Sequence, residues 1–207
     1  MHDSAAPGRI VILNGAPRAG KSSIAAAMQT QLAGNWINLG VDAQNRTLPP
    51  HLRPGIGLRP GGERPDLEPM VERLYRAIYD SIAAHARQGF DVVADFGHHD
   101  AYSRPLGILP TCAQRLEGLP VLFVGVFCPI EAIMARRNAD PQDGFYAAGP
   151  GVPEPVQRWQ DVVHRPGIYD LSLDSSVQSP EASAQAIGSA LAAPPRPSAF
   201  ERLAAMA

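Results

Sequence analysis

The segment Ile10 to Ser23, IVILNGAPRAGKSS, constrains this chain more than any other stretch. An apolar run leads into a loop bracketed by Gly15 and Gly20, and the loop closes on Lys21 and Ser22. Arg9 to Leu13 has no helical period and reads as a buried strand. Lys21 to Leu32 puts Ile24, Met28 and Leu32 on one face at steps of four, so a helix opens inside the loop and Gly34 closes it. Gly15-Ala16-Pro17-Arg18-Ala19-Gly20-Lys21-Ser22 satisfies G-x-x-x-x-G-K-[ST]. Its glycines permit backbone angles that a Cβ disfavours, which turns N–H groups and a helix N-terminus toward anionic oxygens. The expectation is a nucleotide polyphosphate held along Gly15 to Ser23. Lys21 would reach the β- and γ-phosphates and the Ser22 hydroxyl would hold Mg²⁺.

The rest of the chain alternates strand and helix signals. Trp36 to Val41 reads as a second strand ending at Asp42. Arg46 to Pro65 reads as a loop without period. Asp66 is the expected cap of a long amphipathic helix that Gly89 ends. Phe90 to Ala94 is a third strand ending at Asp95, Gly97 to Gly118 is ambiguous apart from a helix around Thr111 to Leu116, and Val121 to Cys128 is a fourth strand. Pro129 opens a helix at a first-turn position. Asp140 to Pro155 is again rich in Pro and Gly. A helix over Glu154 to Val163, a strand over Tyr169 to Leu173 and a helix capped at Ser179 complete the pattern. Five strands alternating with helices imply an α/β fold: a P-loop NTPase of nucleotide-kinase type, three layers α/β/α around a five-stranded parallel sheet. One domain is expected over residues 1–207, with 1–8 and 194–207 as peripheral tails.

Asp42 and Asp95 are expected at strand C-termini, where a parallel sheet presents its ligand crevice. Each could serve as a Mg²⁺–water ligand or as the base for an attacking hydroxyl. No asparagine precedes a lysine, so the guanine-reading N-K-x-D is absent and ATP is the expected donor. A net charge of −2 gives no general electrostatic reason to expect nucleic acid or an anionic membrane as partner. Cys112 and Cys128 lack metal-type spacing, and with no leader-like or membrane-spanning run the expected location is the cytoplasm.

The blocks IVILNGAPRAGKSSI, LGVD, VVAD, VLFVGVFCPIEAIMAR and VVHRPGIYDLSLDSS together resemble the chloramphenicol phosphotransferase family of P-loop kinases, from about Arg9 to Ala192. The resemblance implies transfer of the γ-phosphoryl group of ATP to a hydroxyl of a small molecule, chloramphenicol or a related antibiotic, with a role in resistance. Asp42 would be the base, Asp95 would support Mg²⁺ through water, and Arg136 would help neutralise the migrating group. The family's lid, R-E-x-x-R-G-D-R, is here Arg136-Arg137-Asn138-Ala139-Asp140-Pro141-Gln142-Asp143, so its later arginines are replaced. Arg137, Arg158 and Arg165 are the other candidates for that charge. Arg46 to Pro65 contains no aromatic residue to stack on a nitrophenyl ring, which leaves the acceptor open. Related zeta-type toxins phosphorylate a nucleotide sugar, and a nucleotide-binding regulator or slow ATPase without an acceptor is the competing class. A homo-oligomer is left open.

Several further residues carry bland readings beside functional ones. His98 and His99 read as polar loop, with a substrate or metal site as the alternative. Tyr75 and Tyr79 read as core, Arg18 as solvent-facing, Asp170 as a strand-edge cap, and His164 as a substrate or structural hydrogen-bonding group.

Overall fold

The computed structural model describes residues 6–140 and 151–207. Strands β1 (Ile10–Asn14), β2 (Trp36–Asn38), β3 (Asp91–Phe96), β4 (Val121–Phe127) and β5 (Leu171–Asp174) form one parallel sheet in the order β2-β3-β1-β4-β5. Side chains alternate across it as the pleat requires. Ile10, Ile12, Val92, Ala94, Phe96 and Phe123 feed one core, and Val11, Leu13, Val93, Leu122 and Val124 feed the other. The first face is covered by α3 (Glu68–Arg87) and α4 (Ile108–Arg115), the second by α1 (Lys21–Gln31), α6 (Glu154–Val162) and α7 (Pro180–Ala192). Both faces are therefore buried, which is why the central strands read as unbroken apolar runs. Strand order reverses about β1, so the loop after it opens at the switch point where such sheets hold ligands.

Several expected boundaries move. The second strand stops at Asn38 because the Asn38 side chain accepts a 2.9 Å hydrogen bond from Gly40 N, which turns the chain. Val41–Thr47 is a short helix, α2, and Asp42 lies in its first turn rather than at a strand end. The third strand runs on to Phe96, which puts Asp95 inside it. The segment Arg46 to Pro65 is not structureless. It includes the end of α2 and two 3₁₀ turns, Pro50–Leu52 and Gly55–Gly57, whose Ile56 is buried against α3. Asp66 does not cap α3, since its carboxylate is drawn to Arg64 at 2.7 Å. Pro129 sits at the cap of α5 (Ile130–Ala139), one position before the first turn.

The C-terminal segment is no peripheral tail. Helix α8 (Ala199–Ala204) starts with a capping box between Ser198 and Glu201, and Phe200 and Leu203 are buried in the first core. Asp170 ties this helix down by accepting hydrogen bonds from Ala199 N and Phe123 N. That confirms its capping role, and its pKa is raised by burial against the pull of those bonds. Tyr75 and Tyr79 are core residues, as their spacing suggested.

Candidate active site

The phosphate loop leaves β1 beneath the start of α1. Gly20 has φ +89, where a side chain would be strained, and a Cβ on Gly15 would stand 2.4 Å from Val126 O of the neighbouring strand. The first glycine is thus required by close approach and the second by backbone angle. Lys21 Nζ donates to Gly15 O and Ala16 O, each at 2.9 Å, which holds the ammonium inside the loop. Burial pushes the Lys21 pKa down from its ordinary value, against the opposing pull of the Asp95 and Asp42 charges.

The Ser22 hydroxyl donates to Asp95 Oδ2 at 2.8 Å. Asp95 is 7% exposed, and it occupies space that only a glycine at position 40 leaves free. A Cβ on Gly40 would fall 1.8 Å from Asp95 Oδ1 and 2.9 Å from its backbone N. Two hard oxygen donors beside a phosphate cradle fit Mg²⁺, which takes few protein ligands and completes its shell with phosphate and water. No group of three or more His, Cys, Asp or Glu among the described residues could hold a metal ion, so the metal alternative for His98 and His99 receives no support.

A cavity of about 1040 Å³ connects these groups. Of the nine expected loop residues, Gly15, Ala16, Pro17, Arg18, Gly20, Lys21, Ser22 and Ser23 line it, as do Asp42, Asp95 and Arg136. Ala19 does not, being buried with its carbonyl taken by Ser175 Oγ at 2.6 Å. On the side of α5 and the turn after β5, Arg136 donates from Nη1 to Arg18 O at 3.1 Å and to Ser175 Oγ at 3.2 Å, and from Nη2 to Ser175 O. Arg18 is not turned simply to solvent, because its guanidinium is paired with Asp140 Oδ2 at 3.0 Å. Pro141, Gln142 and Asp143 lie outside the described residues. Of the other lid candidates, Arg137 also lines the cavity, whereas Arg158 pairs with Glu154 and Glu63 and Arg165 is exposed.

The rest of the cavity is lined from α2, the Gly55–Gly57 turn, the end of β3 and α6. They contribute Val41, Asp42, Asp95, Ile56, Phe96, Val156 and Trp159 to its lining, of which Asp42 and Asp95 are charged. Trp159 is 4% exposed, packs edge-on to His99 with ring centroids 4.9 Å apart, and lies against Gly97. His99 in turn bonds Leu58 O through Nε2 at 2.9 Å, and burial lowers its pKa. These histidines are therefore interior braces and not a polar loop.

Behind the phosphate loop, Asn14 joins three segments. Its Nδ2 donates to Val163 O at 2.8 Å and to Tyr169 Oη at 2.9 Å, and its Oδ1 accepts from His98 N at 2.6 Å. His164 completes the junction through Nδ1 to Tyr169 Oη at 2.9 Å and stacks on Phe127 at 3.8 Å. Burial lowers its pKa to about 4, with the Lys21 charge acting the same way. Reading the sequence missed Asn14, Gly40, Trp159 and Ser175. Only Trp159 left a signal, in its spacing with Val156 and Val163 along one helical face.

Known proteins share this chain's family and fold. A family model described as "Chloramphenicol phosphotransferase-like protein" matches residues 8–192. A protein of Mycobacterium tuberculosis (strain ATCC 25618 / H37Rv), named "Putative O-phosphotransferase", is 29% identical over 210 residues, covering 95% of this chain and 88% of its own. Among solved structures, the fold is similar to an APS kinase of Mycobacterium tuberculosis in complex with AMPPNP and APS (TM-score 0.62, 19% identity, covering 91% of this chain and 100% of that one). It is similar also to a tunicamycin resistance protein of Deinococcus radiodurans (0.60, 17%, 91% and 99%) and to a shikimate kinase of Acinetobacter baumannii in complex with shikimate (0.54, 13%, 89% and 92%). The fold is that of the P-loop kinases. No helix among the described residues is long and apolar enough to cross a membrane.

Proposed function

The chain belongs to the chloramphenicol phosphotransferase-like family and is a kinase-like phosphotransferase, and from that premise we propose that it moves the γ-phosphoryl group of ATP to a hydroxyl of a small uncharged acceptor, of which chloramphenicol is the first to test. The observation that carries this reading is one cavity lined both by the phosphate loop and by Asp42 among the apolar residues Val41, Ile56, Val156 and Trp159. ATP lies along Gly15 to Ser23, and the acceptor lies beside Val41 and Asp42, over the buried Ile56 and Trp159. Among the described lining residues the cations are those of the phosphate loop (Arg18, Lys21) and of α5 (Arg136, Arg137), so an anionic acceptor beside Asp42 would be desolvated without a counter-charge of its own.

In the reaction, the acceptor hydroxyl oxygen forms a bond to the γ-phosphorus as the bond from that phosphorus to the β,γ-bridging oxygen breaks. ADP leaves with the electron pair, and the hydroxyl proton passes to the Asp42 carboxylate. General-base assistance of this kind contributes about 10²–10⁴-fold. Lys21 neutralises charge on the β- and γ-oxygens, and Arg136 adds positive charge on the nucleotide side. Ser22 and Asp95 would hold Mg²⁺, which supplies Lewis-acid charge to the phosphates. Trp159 and Ile56 exclude water from the acceptor side, which suppresses hydrolysis of ATP.

The test is mass spectrometry of purified protein incubated with Mg²⁺, ATP and chloramphenicol, with Asp42→Ala as control. A product heavier by one phosphoryl group, lost in the variant, supports both the reaction and the base. ATP binding without any such product discards chloramphenicol and moves the search to other uncharged alcohols. A product undiminished in Asp42→Ala removes Asp42 from its role.

A further inference from the structure

We propose that Arg18 of the phosphate loop is a catalytic residue, released from Asp140 when a triphosphate binds, and that it supplies the positive charge given up where Asp140 replaces a lid arginine. The inference rests on the phosphoryl-transfer reading above. Four cationic side chains line the cavity: Arg18, Lys21, Arg136 and Arg137. Arg136 is fastened by Arg18 O and by both oxygens of Ser175. Swinging it to a phosphate would leave those acceptors without their donor.

Arg18 is held differently. Its partners are the Asp140 carboxylate and the Asp140 carbonyl, at the C-terminal end of α5. The Asp140 side chain is 63% exposed, and an ion pair in that setting contributes little, because water screens it. A triphosphate offers Arg18 a more highly charged, bidentate partner, so the exchange is favourable. The backbone points the same way. Arg18 has φ +67, the positive-φ residue other than glycine among those described, and the left-handed region crowds a Cβ against the following carbonyl. An arginine is thus placed at the tip of the loop where glycine would sit without strain, beside the phosphates. As the γ-phosphorus passes from the β,γ-bridging oxygen of ADP to the acceptor oxygen, the Arg18 guanidinium bears on its equatorial oxygens. Asp140 meanwhile remains solvated.

The experiment compares affinities for the β,γ-imido analogue of ATP and for ADP, both with Mg²⁺, in wild type, Arg18→Gln and Asp140→Asn. Arg18→Gln keeps the side-chain stem and the backbone strain. It is expected to weaken the triphosphate analogue at least tenfold and ADP less than threefold. Asp140→Asn is expected to tighten the analogue two- to fivefold and leave ADP unchanged. Equal losses for both nucleotides in Arg18→Gln, no loss for the analogue, or an Asp140→Asn variant that weakens it as Arg18→Gln does would overturn the proposal and leave the pair a structural latch. These readouts need no acceptor, so the absence of phosphorylated product from wild type would reject the proposed function without deciding the role of Arg18.

Discussion

The Ser22 hydroxyl and the Asp95 carboxylate, 73 residues apart in the chain, meet at 2.8 Å where α1 leaves the phosphate loop and β3 leaves the sheet. The parallel pairing of β1 with β3 sets their separation, with Leu13 opposite Asp95. Gly40 then decides whether the carboxylate can occupy the remaining space. The candidate magnesium site therefore depends on a residue that contributes no ligand.

Gly40→Ala should weaken the apparent Mg²⁺ affinity of nucleotide binding about 10–100-fold, the range seen when a group supporting a metal ligand is disturbed. Asp95→Asn should do the same. Titrating Mg²⁺ at fixed nucleotide, with circular dichroism to verify the fold, checks this. An unshifted Mg²⁺ curve in Gly40→Ala would show that Asp95 is free to move and that the close contact is unimportant.

Asn14→Ala should destabilise the protein by about 1–3 kcal/mol for each partner left buried and unsatisfied, among His98 N, Val163 O and Tyr169 Oη. Urea unfolding measures the loss. Because Asn14 immediately precedes Gly15, nucleotide affinity should also fall. A variant as stable as wild type would mean that water replaces the amide.

Trp159→Phe should raise the acceptor KM about tenfold while the ATP KM stays within twofold, since the indole lines the cavity against Gly97 and His99. Trp159→Ala should cost about 3–5 kcal/mol of stability in addition, as truncation of a buried Trp does. If both KM values rise together in Trp159→Phe, the wall is shared between the two substrates.

His98 makes stability depend on pH. Burial holds its pKa at about 3, with the neighbouring His99 acting in the same direction, whereas in the unfolded chain it titrates near 6.5. Below about pH 6.5 the unfolded chain binds a proton that the folded one refuses. Stability from this residue is therefore fully present above pH 6.5 and is lost as pH falls toward 3, at up to about 1.4 kcal/mol per pH unit. Urea midpoints from pH 7.5 to 5 should decline in wild type and decline less steeply in His98→Asn, whose overall stability is lower because the Tyr79 Oη contact at 2.8 Å is lost. Equal slopes in both proteins would assign the acid sensitivity to other groups.

The sequence by itself determined whatever depends on neighbours along the chain. The glycine-bracketed loop, the apolar strands before and after it, the period of α3 and the Ser179 cap are all local. Their signals are backbone angles and side-chain repeats that act within a few residues. Even there a local reading failed at Gly40. The apolar run from Trp36 to Val41 looked continuous, although the Asn38 side chain turns the backbone and sends Asp42 into a helix. Tertiary structure decided the rest: the Ser22–Asp95 bond, the three-way junction at Asn14, the acceptor wall around Trp159, the Arg18–Asp140 pair and the burial of α8. Each joins segments separated by dozens of residues, and no local period encodes such a meeting. Strand order, register and the space left by one missing Cβ fix these distances, and those quantities exist only once both faces of the sheet have been covered.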